Sequence, residues 1–280
     1  VTGTGDELVK VWDAVETPRQ SVVAALDTTR TEFVDLQVSR DDKFAVVANS
    51  KRLEIRRIPD GAALAAFADD GQIHRNAFAV SPDCRRLVFS PDDVVELVWD
   101  IDKQETTGQF SGHQSPVTCF VFSPDGEKIA SGSWDNVLRI WDPANGTELS
   151  TLSGHTGTIW DVAWSDDGRF VATIGDDGLA LIWDVASGAQ KHKIVLGASG
   201  RRIRISHDSS LVGTRGDNQS LRLWDMETGT LQQSFLAGEQ ILETAPRPAI
   251  ASKPYAEPRR CDDLRGSVLS ILQTRSAVCV

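Results

Sequence analysis

The chain has 280 residues and a net charge of −11, from 29 basic against 40 acidic side chains. That length suits one large all-β domain, and the acidic balance argues against nucleic acid or an anionic membrane as partner. The four cysteines, at 84, 119, 261 and 279, show neither CxxC spacing nor an accompanying pair of histidines, so no metal or redox cofactor is expected. Cys119, inside the apolar run TCFVF, reads as a small buried side chain.

Residues 1–13, VTGTGDELVKVWD, end on Trp12-Asp13 but hold no Gly-His and no preceding apolar strand. They read as the later part of a unit entered in its middle, with a third strand at Leu8–Trp12 and an outer strand at about Ser21–Leu26. The innermost strand is expected to be missing, as in a fragment of a larger ring. Five full units follow. The serine opening the central turn of each, at Ser39, Ser81, Ser123, Ser165 and Ser206, recurs at spacings of 42, 42, 42 and 41 residues. A closing Trp-Asp keeps step at Trp99-Asp100, Trp141-Asp142, Trp183-Asp184 and Trp224-Asp225, while the second unit has Arg57-Ile58 there.

The fourth unit, Gly112–Asp142, shows the pattern in full. Expected strands are Val117–Phe122, Lys128–Ser133, Val137–Trp141 and Glu148–Leu152. Inner strands are nearly continuous apolar runs, as for strands covered on both faces. Asp125-Gly126, Asp167-Gly168, Asp177-Gly178 and Asn145-Gly146 are hairpin dipeptides. The last outer strand falls in 227–236. Beyond it the period is lost, and Pro246, Pro248, Pro254 and Pro258 argue against regular strands, so 237–280 is expected to be a disordered tail or foreign to the repeats. A pairing of Ile241-Leu242 with the first unit is the bolder alternative.

Gly-His and Trp-Asp in phase at this period resemble the WD-repeat β-propeller family over residues 1–236. The resemblance implies an all-β propeller of four-stranded antiparallel blades. Five would be complete and one partial, with an intact ring of seven blades expected. It also assigns His113, Ser131 and Asp135, which by type could form a catalytic triad, to a structural chain. The indole of Trp141 donates to the hydroxyl, the hydroxyl to His, and His to Asp. The set recurs as His155, Thr173, Asp177 and Trp183, and an active site is normally built once. Blade one keeps Thr2, Asp6 and Trp12, and blade six keeps Thr214 and Trp224 with Asn218 in the turn. Blade three has Asp93 and Trp99, but Phe89 for the hydroxyl and Gly71 for the His. Blades four and five should therefore be the stiffest.

In such propellers the residues before the turn Asp and at the inner-strand starts border the channel mouth, where partners dock. Here these are Trp134, Asp92, Asp176 and Asp217, and Thr118, Trp160 and Arg201. Trp and Arg are enriched at interface hot spots. The acidic positions suggest a partner with Lys or Arg. Packing between blades is the alternative for Trp160, and the runs Arg201, Arg202, Arg204 and Arg52, Arg56, Arg57 read as solvated faces. The expected function is a non-catalytic scaffold for a protein or peptide partner, in a multiprotein complex of the cytoplasm or nucleus. It would act without nucleic acid, membrane or cofactor. The alternative is the sensor half of a larger multidomain protein.

Overall fold

A computed structural model describes residues 2–3, 8–12, 22–27, 33–39, 43–49, 52–58, 60–68, 77–91, 95–218 and 220–236, with only the backbone course given before residue 37. The expectations for Asp6, Asp92, Asp93, Gly71, the side chains of Thr2 and Trp12, and the tail 237–280 lie outside the described residues.

Every described element is a strand, and the strands form six antiparallel sheets. Blade one has three: β1 (Thr2–Gly3), β2 (Leu8–Trp12) and β3 (Val22–Asp27). The two-residue β1 extends the reading of that blade, which anticipated only its third and outer strands. Blade two is β4 (Phe33–Val38), β5 (Phe44–Asn49), β6 (Arg52–Arg57) and β7 (Ala63–Ala68). Blade three is β8 (Phe78–Val80), β9 (Arg86–Phe89), β10 (Glu96–Asp100) and β11 (Glu105–Phe110). Blade four is β12 (Val117–Phe122), β13 (Ile129–Ser133), β14 (Val137–Trp141) and β15 (Glu148–Ser153). Blade five is β16 (Ile159–Trp164), β17 (Phe170–Gly175), β18 (Leu179–Asp184) and β19 (Gln190–Val195). Blade six is β20 (Gly200–Ile205), β21 (Leu211–Gly216), β22 (Ser220–Asp225) and β23 (Leu231–Leu236).

The connections described within blades four and five are tight turns, which makes those sheets meanders. Gly126 and Gly168 close the serine turns at φ +73°, with their N–H groups bonded to Ser123 O and Ser165 O. That left-handed backbone favours glycine. Asparagine also tolerates it, and Asn136 at φ 68° stands where blade five has Gly178. The core lies between blades. Leu138 and Ile140 of blade four pack with Val162 and Trp183 of blade five, and Ile174 and Ile182 pack with Ile203 and Trp224 of blade six. Each such buried aliphatic contributes about 1.5–3 kcal/mol, so the sheets hold one another through these shared layers.

Successive inner strands are also bolted by polar side chains. The Gln37 amide oxygen accepts Val80 N–H at 3.2 Å. Thr118 donates across to Ile159 O. Asp161, 1% exposed within the apolar run IWDVAW, accepts Ile203 N–H at 3.0 Å and the Arg204 guanidinium at 2.6 Å. Burial pushes the neighbouring Cys119 thiol up to about 12, and the Asp161 charge adds to it, so the thiol stays neutral.

Candidate partner-binding rim and the polar chains beneath it

In the interior, the residues that the resemblance assigns to these chains lie within hydrogen-bonding distance of one another. In blade four, Trp141 Nε1 donates to Ser131 Oγ at 2.8 Å, and the same oxygen lies 2.8 Å from His113 Nε2. His113 Nδ1 lies 2.8 Å from Asp135, which also accepts the N–H groups of Gln114 and Val137 at 3.0 Å each. Blade five repeats the chain from Trp183 through Thr173 (3.1 Å) and His155 (2.9 Å) to Asp177 (2.9 Å). Blade six keeps the first link, Trp224 to Thr214 at 2.8 Å.

The Gly of each Gly-His serves the indole. A Cβ on Gly112 would sit 2.8 Å from Trp141 Cη2, and one on Gly154 the same distance from Trp183 Cη2. Only glycine lets the ring edge pass.

In blade five, a neutral His155 with its hydrogen on Nδ1, facing Asp177, would accept the Thr173 hydroxyl at Nε2. Burial lowers the pKa of His155 despite the opposing pull of Asp177. Burial acts to raise Asp135, but the bonds from His113 and the Gln114 and Val137 N–H groups outweigh it and hold the carboxyl at about 2. Ser131 and Thr173 are each 0% exposed. Neither hydroxyl is open to a substrate, which sets this geometry apart from a nucleophile at work.

Blade three differs as its sequence implied. Phe89 stands where the hydroxyl would be, and the buried Trp99 Nε1 has no hydrogen-bond partner among the described residues. Phe67 of blade two fills the space, 4.6 Å from the Phe89 ring and 4.9 Å from Trp99.

At the rim, the described residues before the turns of blades four, five and six are pinned by their backbones. Trp134 N–H donates to Pro116 O at 3.1 Å, Asp176 N–H to Thr158 O at 2.8 Å and Asp217 N–H to Ser199 O at 2.9 Å. The inner strands bulge beside them, with pairing shifted across Thr118, Trp160 and Arg201. A bulge re-aims the side chain it carries. Trp160 Nε1 thereby donates to Asp176 at 3.2 Å, and the Arg201 guanidinium lies 4.8 Å above the Trp160 ring. Arg201 also makes two bonds to Asp217, at 2.5 and 2.8 Å, and stands 4.0 Å from Asp176. Ser199 Oγ donates to Asp176 at 2.5 Å. Hydrogen bonds, from Ser199 first and then Trp160, lower the Asp176 pKa, and the bond from Arg201 does the same for Asp217.

Thus Trp160, Asp176, Arg201 and Asp217 form one cluster, and Trp134 is 45% exposed. Thr118 corrects the expectation. It is 1% exposed, because its short side chain folds back to bond Gly132 O and Ile159 O. It belongs to the blade interface and not to the rim surface. The basic runs are largely paired: Arg56 with Glu54, Arg57 with Asp60, Arg204 with Asp161. Asp161 was not singled out in the sequence; its signal is a lone carboxylate in an inner strand.

Sheets of this order, with a Trp–hydroxyl–His–Asp chain under a polar rim, define a repeat-built β-propeller. Two of its repeats are similar to WD repeats. The profile of the WD domain, G-beta repeat, matches residues 104–142 and 146–184. Pre-mRNA-processing factor 19 of Oryza sativa subsp. japonica is 28% identical over 120 residues, which is 42% of this chain and 23% of that protein. The chain thus spans about a quarter of that relative's length. The C-terminal WD40 domain of Sif2 superposes with a TM-score of 0.70 at 20% identity, covering 79% of this chain and 64% of that one. That likeness concerns the fold alone.

Proposed function

We propose that the chain is a non-catalytic interaction module that docks a protein or peptide partner on the rim bearing Trp134, Trp160, Asp176, Arg201 and Asp217. Exposed Trp134 carries the reading. Blades five and six have Asp176 and Asp217 at its position, so the repeat needs no aromatic there, yet a rigid turn presents one. A pre-positioned indole loses little conformational freedom on binding. WD repeats generally serve as interaction scaffolds, which favours this class over an enzyme. Similarity to the rice pre-mRNA-processing factor supports a nuclear or cytoplasmic assembly component. A sensing part of a longer protein would use the same rim.

The test is affinity capture with wild type, Trp134→Ala, Trp160→Ala and, as control, Leu149→Ala on the outer strand of blade four, a residue 48% exposed. Partners held by wild type and the control should bind Trp134→Ala about thirtyfold more weakly. Retention by both tryptophan variants, with loss in the control, would move the site to the outer strands.

A further inference from the structure

The rim cluster is built around a cation. The Arg201 guanidinium lies over the Trp160 ring at 4.8 Å and is flanked by Asp217, doubly bonded, and by Asp176. An electron-rich indole face with carboxylates beside it is the chemistry that recognises a planar cation. Two carboxylates share this one guanidinium, so the cluster keeps a surplus negative charge. All three side chains are open to solvent: Arg201 is 40% exposed, Asp176 50% and Asp217 48%. Ion pairs so exposed contribute little net stability, and Arg201 sits on a flexible stem, so its removal from the ring is cheap. Asp176 is fixed independently of Arg201, by its backbone bond to Thr158 O and by Ser199 and Trp160. The Trp160 face and its carboxylate therefore persist when Arg201 leaves.

We propose that the Trp160 face, with Asp176 and Asp217, is a subsite for an arginine side chain of the partner, and that Arg201 fills it in the unbound chain as an internal stand-in. This rests on the rim reading of the preceding section and adds the chemistry of the ligand. The net charge of −11 favours the approach of such a basic segment. The opposite role for Arg201, reaching out to a partner carboxylate, would cost it Asp217 and leave two uncompensated carboxylates at the same spot.

The two roles differ in the sign of one mutational effect. Indole N–H resonances of the full chain are followed during titration with N-acetyl-arginine methylamide or N-acetyl-glutamate methylamide, and Trp160→Phe assigns the Trp160 signal. A self-occupied site weakens apparent affinity by the fraction that is open, so Arg201→Ala should shift the Trp160 signal at roughly tenfold lower arginine concentration than wild type. Arg201→Met, which keeps the stem, should behave likewise, and Asp176→Asn should abolish the response. The signals of the seven other tryptophans report that the variants stay folded. A response weakened or unchanged by both Arg201 variants overturns the proposal. So does a glutamate response that depends on Arg201, or no response to arginine in Arg201→Ala. Any of these would leave rim docking intact, because that reading stands or falls on Trp134→Ala.

Discussion

Blades three and five place an indole at the equivalent point of their third strands and treat it differently. In blade five, Trp183 gives its N–H to Thr173, which continues to His155 and Asp177. In blade three, Trp99 meets Phe89, and Phe67 is packed on both rings. The difference teaches that the polar chain is one of two ways to seat the indole. An apolar filling forgoes the hydrogen bond but avoids a buried hydroxyl and imidazole that must all be satisfied together. Removing one member of the complete chain leaves a polar partner orphaned, which costs its desolvation outright.

Thr173→Val should break the comparison most visibly. It nearly preserves shape but leaves the Trp183 N–H and the His155 Nε2 without a partner, for a loss of about 1–3 kcal/mol. In a domain of this size each 1 kcal/mol lowers the melting temperature by roughly 2–4 °C. Thermal unfolding reads it directly, and an unchanged midpoint would mean the chain carries no stability.

Acid sharpens the contrast, because among the described residues the buried imidazoles are those of the braced blades, His113 and His155. The pKa of His155 is lowered by burial from 6.5, so the unfolded chain binds its proton first and stability falls as pH drops below about 6.5. Asp135 is depressed from 3.8 to about 2, so its contribution is complete above 3.8 and is lost as pH falls towards 2. Melting curves from pH 7.5 down to 5 should show the first loss, and His155→Asn should flatten it. A flat wild-type profile in that window would contradict the neutral imidazole.

The smallest effect belongs to Trp99→Phe. With no hydrogen-bond partner among the described residues, it should cost at least ~1 kcal/mol less than Trp183→Phe, the size of a typical hydrogen-bond contribution. Equal costs would show that packing alone sets both.

The repeats were legible because each strand and turn is dictated locally. Blade four was read as Val117–Phe122, Lys128–Ser133, Val137–Trp141 and Glu148–Leu152, within one residue of the observed bounds. Phe89 in the hydroxyl position marked blade three as less than fully braced. What lay beyond reading were contacts between adjacent blades. The Arg201–Trp160 stack joins residues 41 apart through two bulges, and spacing does not say where a bulged side chain points. The same ambiguity put Thr118 on the rim, although a hydroxyl short enough to reach Ile159 O turns inward. Asp161 escaped notice because its partners, Ile203 and Arg204, sit one full repeat away.

Trp134 and Trp141 stand seven residues apart in one blade, 45% and 1% exposed, and the account gives them opposite duties. The most direct test measures melting temperature and partner affinity for Trp134→Ala and Trp141→Phe side by side. Trp141→Phe should lower stability by about 1–3 kcal/mol and leave affinity unchanged, while Trp134→Ala should weaken binding by about 2 kcal/mol at an unaltered melting temperature. A Trp134→Ala protein that melts early, or that binds its partner as tightly as wild type, would contradict the division of labour between interior and rim.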